Sequence, residues 1–145
     1  MLFKVSADLG SAHLTRKLVV QAARRWRLLS EAAMGDLELC VGEIVANAVE
    51  HTGSTSEVRV SATASGVRVE VVDSDPQLPM SAAPDADGES GRGLLLVDAL
   101  ASGWGAFRVG AGKAVWFEIA ADLATAGYGG GRQHDHDAVG HCTTA

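Results

Sequence analysis

Glu43, Asn47 and His51 lie four residues apart in the run ELCVGEIVANAVEHTG, Glu38 to Gly53. On a helix this spacing stacks a carboxylate, an amide and an imidazole on successive turns. At ~100° per residue, Glu43, Asn47, Glu50 and His51 span an arc of roughly 100°. Leu37, Val41, Ile44, Val45 and Ala48 fall on the opposite side, where a core would lie. Glu43 can accept a proton from a hydroxyl, and the Asn47 amide oxygen is a hard ligand suited to magnesium. His51 reads either as a helix-end residue packing near a phosphate lid or as a direct participant. Alone, such a stripe is also what any amphipathic helix presents to water.

Two further features follow in order. Val67 to Val72 alternates like a strand and runs into Asp73-Ser74-Asp75-Pro76. A carboxylate at Asp73 can accept a hydrogen bond from an exocyclic amine while the strand walls the base, or it can cap the turn before Pro76. Then Gly91-Arg92-Gly93 opens an apolar helical run, Leu94 to Leu100. The glycines let backbone N–H groups approach phosphate oxygens, a helix beginning at Gly93 adds positive potential, and Arg92 complements phosphate charge. A Walker-type phosphate loop is not formed at Gly112-Lys113, because Ala114 follows and Phe107 stands at the upstream glycine position.

These residues need elements to hold them. Leu2 to Ala7 reads as an edge strand, and Ser11 as the N-cap of a helix through about Leu29 with Leu14, Leu18, Ala22 and Trp26 on one face. Asp36 caps or acidifies the start of the helix carrying the polar stripe, which Thr52-Gly53 stops. Glu57 to Ala64 and Val67 to Asp73 alternate around Ser65-Gly66 as a hairpin. Gln77 to Ser90 is an aperiodic loop rich in Pro, Asp, Ala and Gly, and its length suggests a functional or disordered segment. A closing hairpin, Trp104 to Val109 and Lys113 to Ala120, turns across Gly110-Ala111-Gly112. Local strand pairs beside helices predict a two-layer α+β sandwich. Residues 1–121 read as one domain, and 122–145 as a flexible Gly- and His-rich tail.

Composition narrows the function. The chain has 145 residues, enough to bury a core, and a formal net charge of −6, the wrong sign for a phosphate-backbone binder. Direct nucleic-acid binding is therefore not expected. The basic residues Arg16, Lys17, Arg24, Arg25 and Arg27 form either a solvated helix face or a docking surface for an acidic protein. No apolar run has the length of a membrane span and the start lacks a signal-peptide pattern, which makes a cytoplasmic setting the expectation. Two cysteines, Cys40 and Cys142, make no disulfide framework. His134, Asp135, His136, Asp137, His141 and Cys142 sit in low-complexity sequence without two convincing ligand pairs, so no functional metal site is expected there.

Four motifs together carry a resemblance: Glu43-x-x-x-Asn47-x-x-x-His51, Val72-Asp73-x-Asp75-Pro76, Glu89-Ser90-Gly91-Arg92-Gly93-Leu94, and Gly112-Lys113-x-Val115-Trp116-Phe117-Glu118. From about Leu2 to about Ile119 the chain resembles the ATP-binding fold shared by gyrase, the heat-shock chaperone, histidine kinases and a mismatch-repair protein. Within that group it is most similar to the bacterial anti-sigma factor type of serine-protein kinase. The resemblance implies a mixed, mostly antiparallel sheet covered by helices on one face, with ATP and Mg²⁺ as cofactors. It implies Glu43 as catalytic base, Asn47 as magnesium ligand, and Asn47, His51, Asp73, Asp75, Gly91, Arg92, Gly93 and Leu94 around the nucleotide, with Asp73 on the adenine amino group. It also implies phosphorylation of a serine on an anti-anti-sigma protein, control of a sigma factor, and a homodimer. Two departures stand out: Ser74-Asp75-Pro76 replaces the glycines usual after the Asp, and Lys113-Ala114 stands where many relatives have a Thr hydroxyl. They leave room for an alternative, a non-catalytic ATP-binding switch that orders Gln77 to Ser90 and gates a protein interface. The catalytic half of a histidine kinase is disfavoured because the chain has no room for a phosphoacceptor helix hairpin.

Overall fold

The structure, a computed structural model, describes residues 1–5, 9–52, 55–74 and 89–123. Its elements run β1 (Leu2–Val5), α1 (Leu9–Trp26), α2 (Glu31–Thr52), β2 (Ser56–Ala62), β3 (Gly66–Asp73), α3 (Glu89–Leu100), β4 (Gly103–Val109) and β5 (Gly112–Ala120). The strands form one five-stranded sheet in the order β1-β2-β3-β5-β4. The two-layer α+β architecture is as expected. Each described pairing is antiparallel, so the mixed component anticipated for the sheet is not seen among the described strands.

Alternation along the strands decides which side the helices cover. Val60, Val69, Phe117 and Trp104 form one row across the sheet, and Val58, Val71, Val115 and Ala106 form the next. All eight are buried in a single core with Val19, Leu37, Val41, Val45 and Val97 from the helices. Fully burying a side chain of this size contributes about 1.5–3 kcal/mol, so these rows clamp the layers together. The other face is polar: Arg68 lies 4.2 Å from the Trp116 ring centroid and pairs with Glu70 at 3.5 Å.

The helices depart from expectation in instructive ways. α1 begins at Leu9, which puts Ser11 inside its first turn instead of at the cap. Its buried stripe is Thr15, Val19, Ala22 and Ala23, and Leu14 is exposed. The buried face is thus turned by about one residue from the expected one. The cap of α2 is Ser30, not Asp36. The Ser30 hydroxyl accepts a hydrogen bond from the Ala33 N–H at 3.2 Å, and Asp36 falls in the second turn.

Ser30 is fixed from the far end of the chain. Its N–H donates to Asp122 Oδ1 at 2.6 Å and its hydroxyl to Oδ2, which holds the Asp122 carboxyl below the usual carboxylate range. The N–H groups of Asp122 and Leu123 both donate to the Leu28 carbonyl. Residues 124–145, including the His- and Asp-rich run, lie outside the described residues. Among the described residues, no helix is long and apolar enough to cross a membrane.

Candidate functional site

Two residues beyond the Val58–Val71–Val115–Ala106 row, the helix-facing side of the sheet changes character. Asp73 of β3 pairs in register with Lys113 of β5, and Lys113 with Arg108 of β4. The Glu57–Val72 pairing brings Ser56 of β2 to the same level. Side chains two apart on a strand share a face, so Ser56, Asp73, Lys113 and Arg108 continue the helix-facing rows as a polar row. Here the apolar core ends and a cleft can begin.

This row is mostly withdrawn from water. Asp73 and Lys113 are both buried, and Lys113 Nζ stands 3.3 Å from Asp73 Oδ1. Ser56 is 1% exposed, and its Oγ has no hydrogen-bond partner among the described residues. An unsatisfied buried hydroxyl costs free energy, so a polar ligand or water reaching it gains what the fold leaves unmet. Gly112 explains how the row can form. A Cβ there would lie 1.9 Å from the Asp73 carbonyl oxygen, so only glycine lets β5 start against the end of β3. The Asp73 and Gly112 motifs, separated by α3 and β4, are one contact in space.

The polar stripe of α2 is disposed as its spacing predicts. Leu37, Val41, Ile44, Val45 and Ala48 are buried, while Glu43 and Asn47 are half-buried and Glu50 is exposed. The helix packs against α3, β3 and β5. The charge of Glu43 reaches inward: burial chiefly, then Asp36 and Glu43, pushes the Cys40 thiol up to about 12. Cys40 is therefore a small core residue rather than a nucleophile.

The remaining expected residues divide sharply. His51 belongs to the last turn of α2, but its side chain lies outside what the structure describes, as do Asp75 and most of the Gln77 to Ser90 loop. α3 begins at Glu89, four residues before the expected start, so Gly91, Arg92 and Gly93 occupy its opening turns. The first four N–H groups of a helix lack intrahelical partners, which keeps Gly91 and Arg92 suited to an anion and places Gly93 beyond them. Leu94 turns its side chain into the core beside Val97, so that side chain is a packing element. Two of the five basic residues serve the fold: Arg24 donates to Glu31 at 2.7 Å, and Arg16 lies 3.8 Å from Glu38. Lys17, Arg25 and Arg27 are exposed.

Sequence reasoning missed three members of the row. The sequence motifs present Lys113 as a failed phosphate loop and as the loss of a hydroxyl, and they include neither Ser56 nor Arg108. The available signal was parity: Lys113 alternates with Val115, Phe117 and Ile119, Ser56 with Val58 and Val60, and Arg108 with Ala106 and Trp104.

The family model of the histidine kinase-like ATPase domain matches residues 5–119. The chain belongs to the histidine kinase-like ATPase domain family. That match covers the α2 stripe, Asp73, Gly91 to Leu94 and Gly112-Lys113, so every residue expected at the site falls within the family domain. A comparison with curated proteins found no match.

The residues present fit a nucleotide. A buried carboxylate and a buried hydroxyl without a partner among the described residues suit a base edge, and a helix with Gly91 in its first turn suits phosphate. Among the described residues no group of three or more His, Cys, Asp or Glu could hold a metal ion. A magnesium ion there would take one protein oxygen from Asn47 and the rest from phosphates and water, as this ion commonly does.

Proposed function

We propose that this domain binds Mg-ATP and acts as an anti-sigma factor type serine-protein kinase, modifying a serine on an anti-anti-sigma protein and thereby regulating a sigma factor. The observation that carries the nucleotide part is the polar row closing the core, with buried Asp73 near its centre and the Ser56 hydroxyl, without a partner among the described residues, at its end, inside the family match. The similarity of the four motifs to the anti-sigma type supports the finer assignment, though the motifs are more specific for the ATP-binding fold than for one regulator within it. When bound, ATP supplies the transferable phosphoryl group, and Mg²⁺ neutralises charge on its oxygens.

The chain's own residues have separable tasks. Asp73 and Ser56 read the base, Asn47 anchors the metal, and the opening of α3 with Arg92 holds phosphate. Glu43, one helical turn from Asn47, takes the proton of the attacking serine hydroxyl; His51 supports the phosphate side. Half-burial of Glu43 suits this role, because the carboxylate is held by a rigid helix yet open to a partner's side chain. A homodimer in the cytoplasm goes with this reading.

The test is phosphate transfer from labelled ATP to a co-purified partner, in the parent and in Glu43→Gln. Loss of a general base costs typically ~10²–10⁴-fold, so the variant should bind ATP normally while its transfer falls by that order. A variant that modifies the partner at the parental rate refutes the base assignment. A parent that binds ATP and modifies no partner favours the non-catalytic switch, for which the altered sequences after Asp73 and Gly112 speak.

A further inference from the structure

We infer that Asp122 and Leu123 form a strap that holds a strained corner between α1 and α2, and so sets where α2 delivers Glu43 and Asn47. Its consequence for the site rests on the nucleotide-binding reading above, whereas the strap and the corner do not.

The corner runs from Arg27 to Ser30, between the end of α1 at Trp26 and the start of α2 at Glu31. Arg27 has a φ of 53°, in the left-handed region that an arginine seldom adopts, and its N–H reaches the Arg24 carbonyl at 3.3 Å. Such a conformation persists where the surroundings over-determine it. Here one short segment does so. The Asp122 and Leu123 N–H groups donate to the Leu28 carbonyl at 3.0 and 3.1 Å, and the Asp122 carboxylate accepts from both the N–H and the hydroxyl of Ser30. These bonds fall on the two residues that flank buried Leu29. Asp122 and Leu123 lie beyond the residues 5–119 that match the family domain, so the strap is outside that domain.

Position gives the strap leverage. It follows the last residue of β5, Ala120, and meets the first of α2, whereas Lys113 lies at the opposite end of β5. α2 ends at Thr52 and β2 begins at Ser56, a member of the polar row, so the far end of α2 arrives near that row. The two elements are therefore tied at one end and face the cleft at the other. With ~1.5 Å rise per residue, Glu43 and Asn47 lie roughly 18 and 24 Å along the helix from Glu31. A tilt of about 5° at the corner would move them by roughly 1.5–2 Å, and a misplacement of that size is costly in a site built on geometry. Release of the strap frees Arg27 to return to negative φ and re-angles the start of α2. Detaching Asp122 thus turns the site down without touching it.

The experiment uses the full chain in the parent, Asp122→Ala, Asp122→Asn, Arg27→Gly and the Arg27→Gly/Asp122→Ala double variant. Hydrogen exchange without nucleotide reads the corner, and calorimetry of Mg-ATP reads the site. Asp122→Ala should speed exchange over residues 34–41 by about tenfold, the equivalent of one hydrogen bond to a charged group. It should weaken Mg-ATP by about threefold or more. Asp122→Asn keeps an oxygen for the Ser30 N–H and should recover most of both. Glycine adopts positive φ freely, so in the Arg27→Gly background the corner holds without the strap and Asp122→Ala should cost less Mg-ATP affinity than in the parent. A strap that only stabilised the fold would not show that rescue. Unchanged exchange in Asp122→Ala overturns the inference. So does faster exchange with unchanged affinity, or an equal loss of affinity in the two backgrounds. A parent that binds no ATP overturns the nucleotide reading, and exchange then decides the strap alone, faster in Asp122→Ala supporting it and unchanged overturning it.

Discussion

Breaking the Asp73–Lys113 pair from either side should be costly, and removing both partners should not cost the sum. The two charges are 3.3 Å apart and both residues are buried, so neither can turn to bulk water when its partner is lost. Asp73→Asn or Lys113→Met alone should each destabilise by about 3–5 kcal/mol, the range for removing one member of a buried ion pair. That is a large share of the ~5–15 kcal/mol that holds a typical domain. The double variant removes both charges and should lie about 2 kcal/mol or more closer to the parent than additivity requires. Urea unfolding without nucleotide, followed by the fluorescence of Trp26, Trp104 and Trp116, measures all four corners of the cycle. Single-variant losses within the ~0–1 kcal/mol of an exposed pair would refute the reasoning. So would additivity within about 0.5 kcal/mol.

Gly112→Ala should unseat the same pair without touching either charge, because its Cβ meets the Asp73 carbonyl at 1.9 Å and two backbones must part. The expected loss is about 1–3 kcal/mol, with ATP affinity falling more than in a surface control such as Gly35→Ala, where nothing lies within 4 Å. Equal behaviour of the two alanine variants would show that the β3–β5 contact does not build the site. Cys40, its thiol pushed up to about 12, should resist alkylation in native protein at pH 8 and react once unfolded. The linked stability is fully present below the unfolded value near 9.0 and is lost as pH climbs through about 12. Native-state labelling at the unfolded rate would contradict this burial.

The sequence is most readable where one element suffices. The α2 stripe and the apolar side opposite it follow from helical period alone, and Glu57 to Ala64 and Val67 to Asp73 announce their hairpin through alternation and the Ser65-Gly66 turn. Reading fails where the answer depends on another element. Ser30 caps α2 with the help of Asp122, 92 residues away, and local sequence offers Asp36 just as readily. Leu14 is exposed while Thr15, Val19, Ala22 and Ala23 face the core, a rotation that depends on what α1 packs against and that apolar period cannot anticipate. Lys113 looked like a missing hydroxyl because its meaning comes from pairing with Asp73 across a strand order that places β5 between β3 and β4. Parity already put Lys113 inward; topology supplied the partner.

On the function proposed above, the α2 stripe and the polar row form one Mg-ATP site. Calorimetry of ATP binding with and without Mg²⁺, in the parent and in Asn47→Ala, tests it most directly. The parent should bind ATP more tightly with Mg²⁺, and Asn47→Ala should lose most of that gain while keeping the metal-independent part, since Asp73 and the opening of α3 are unaltered. A parent that binds no ATP, or an Asn47→Ala variant with the full parental gain from Mg²⁺, would contradict the account.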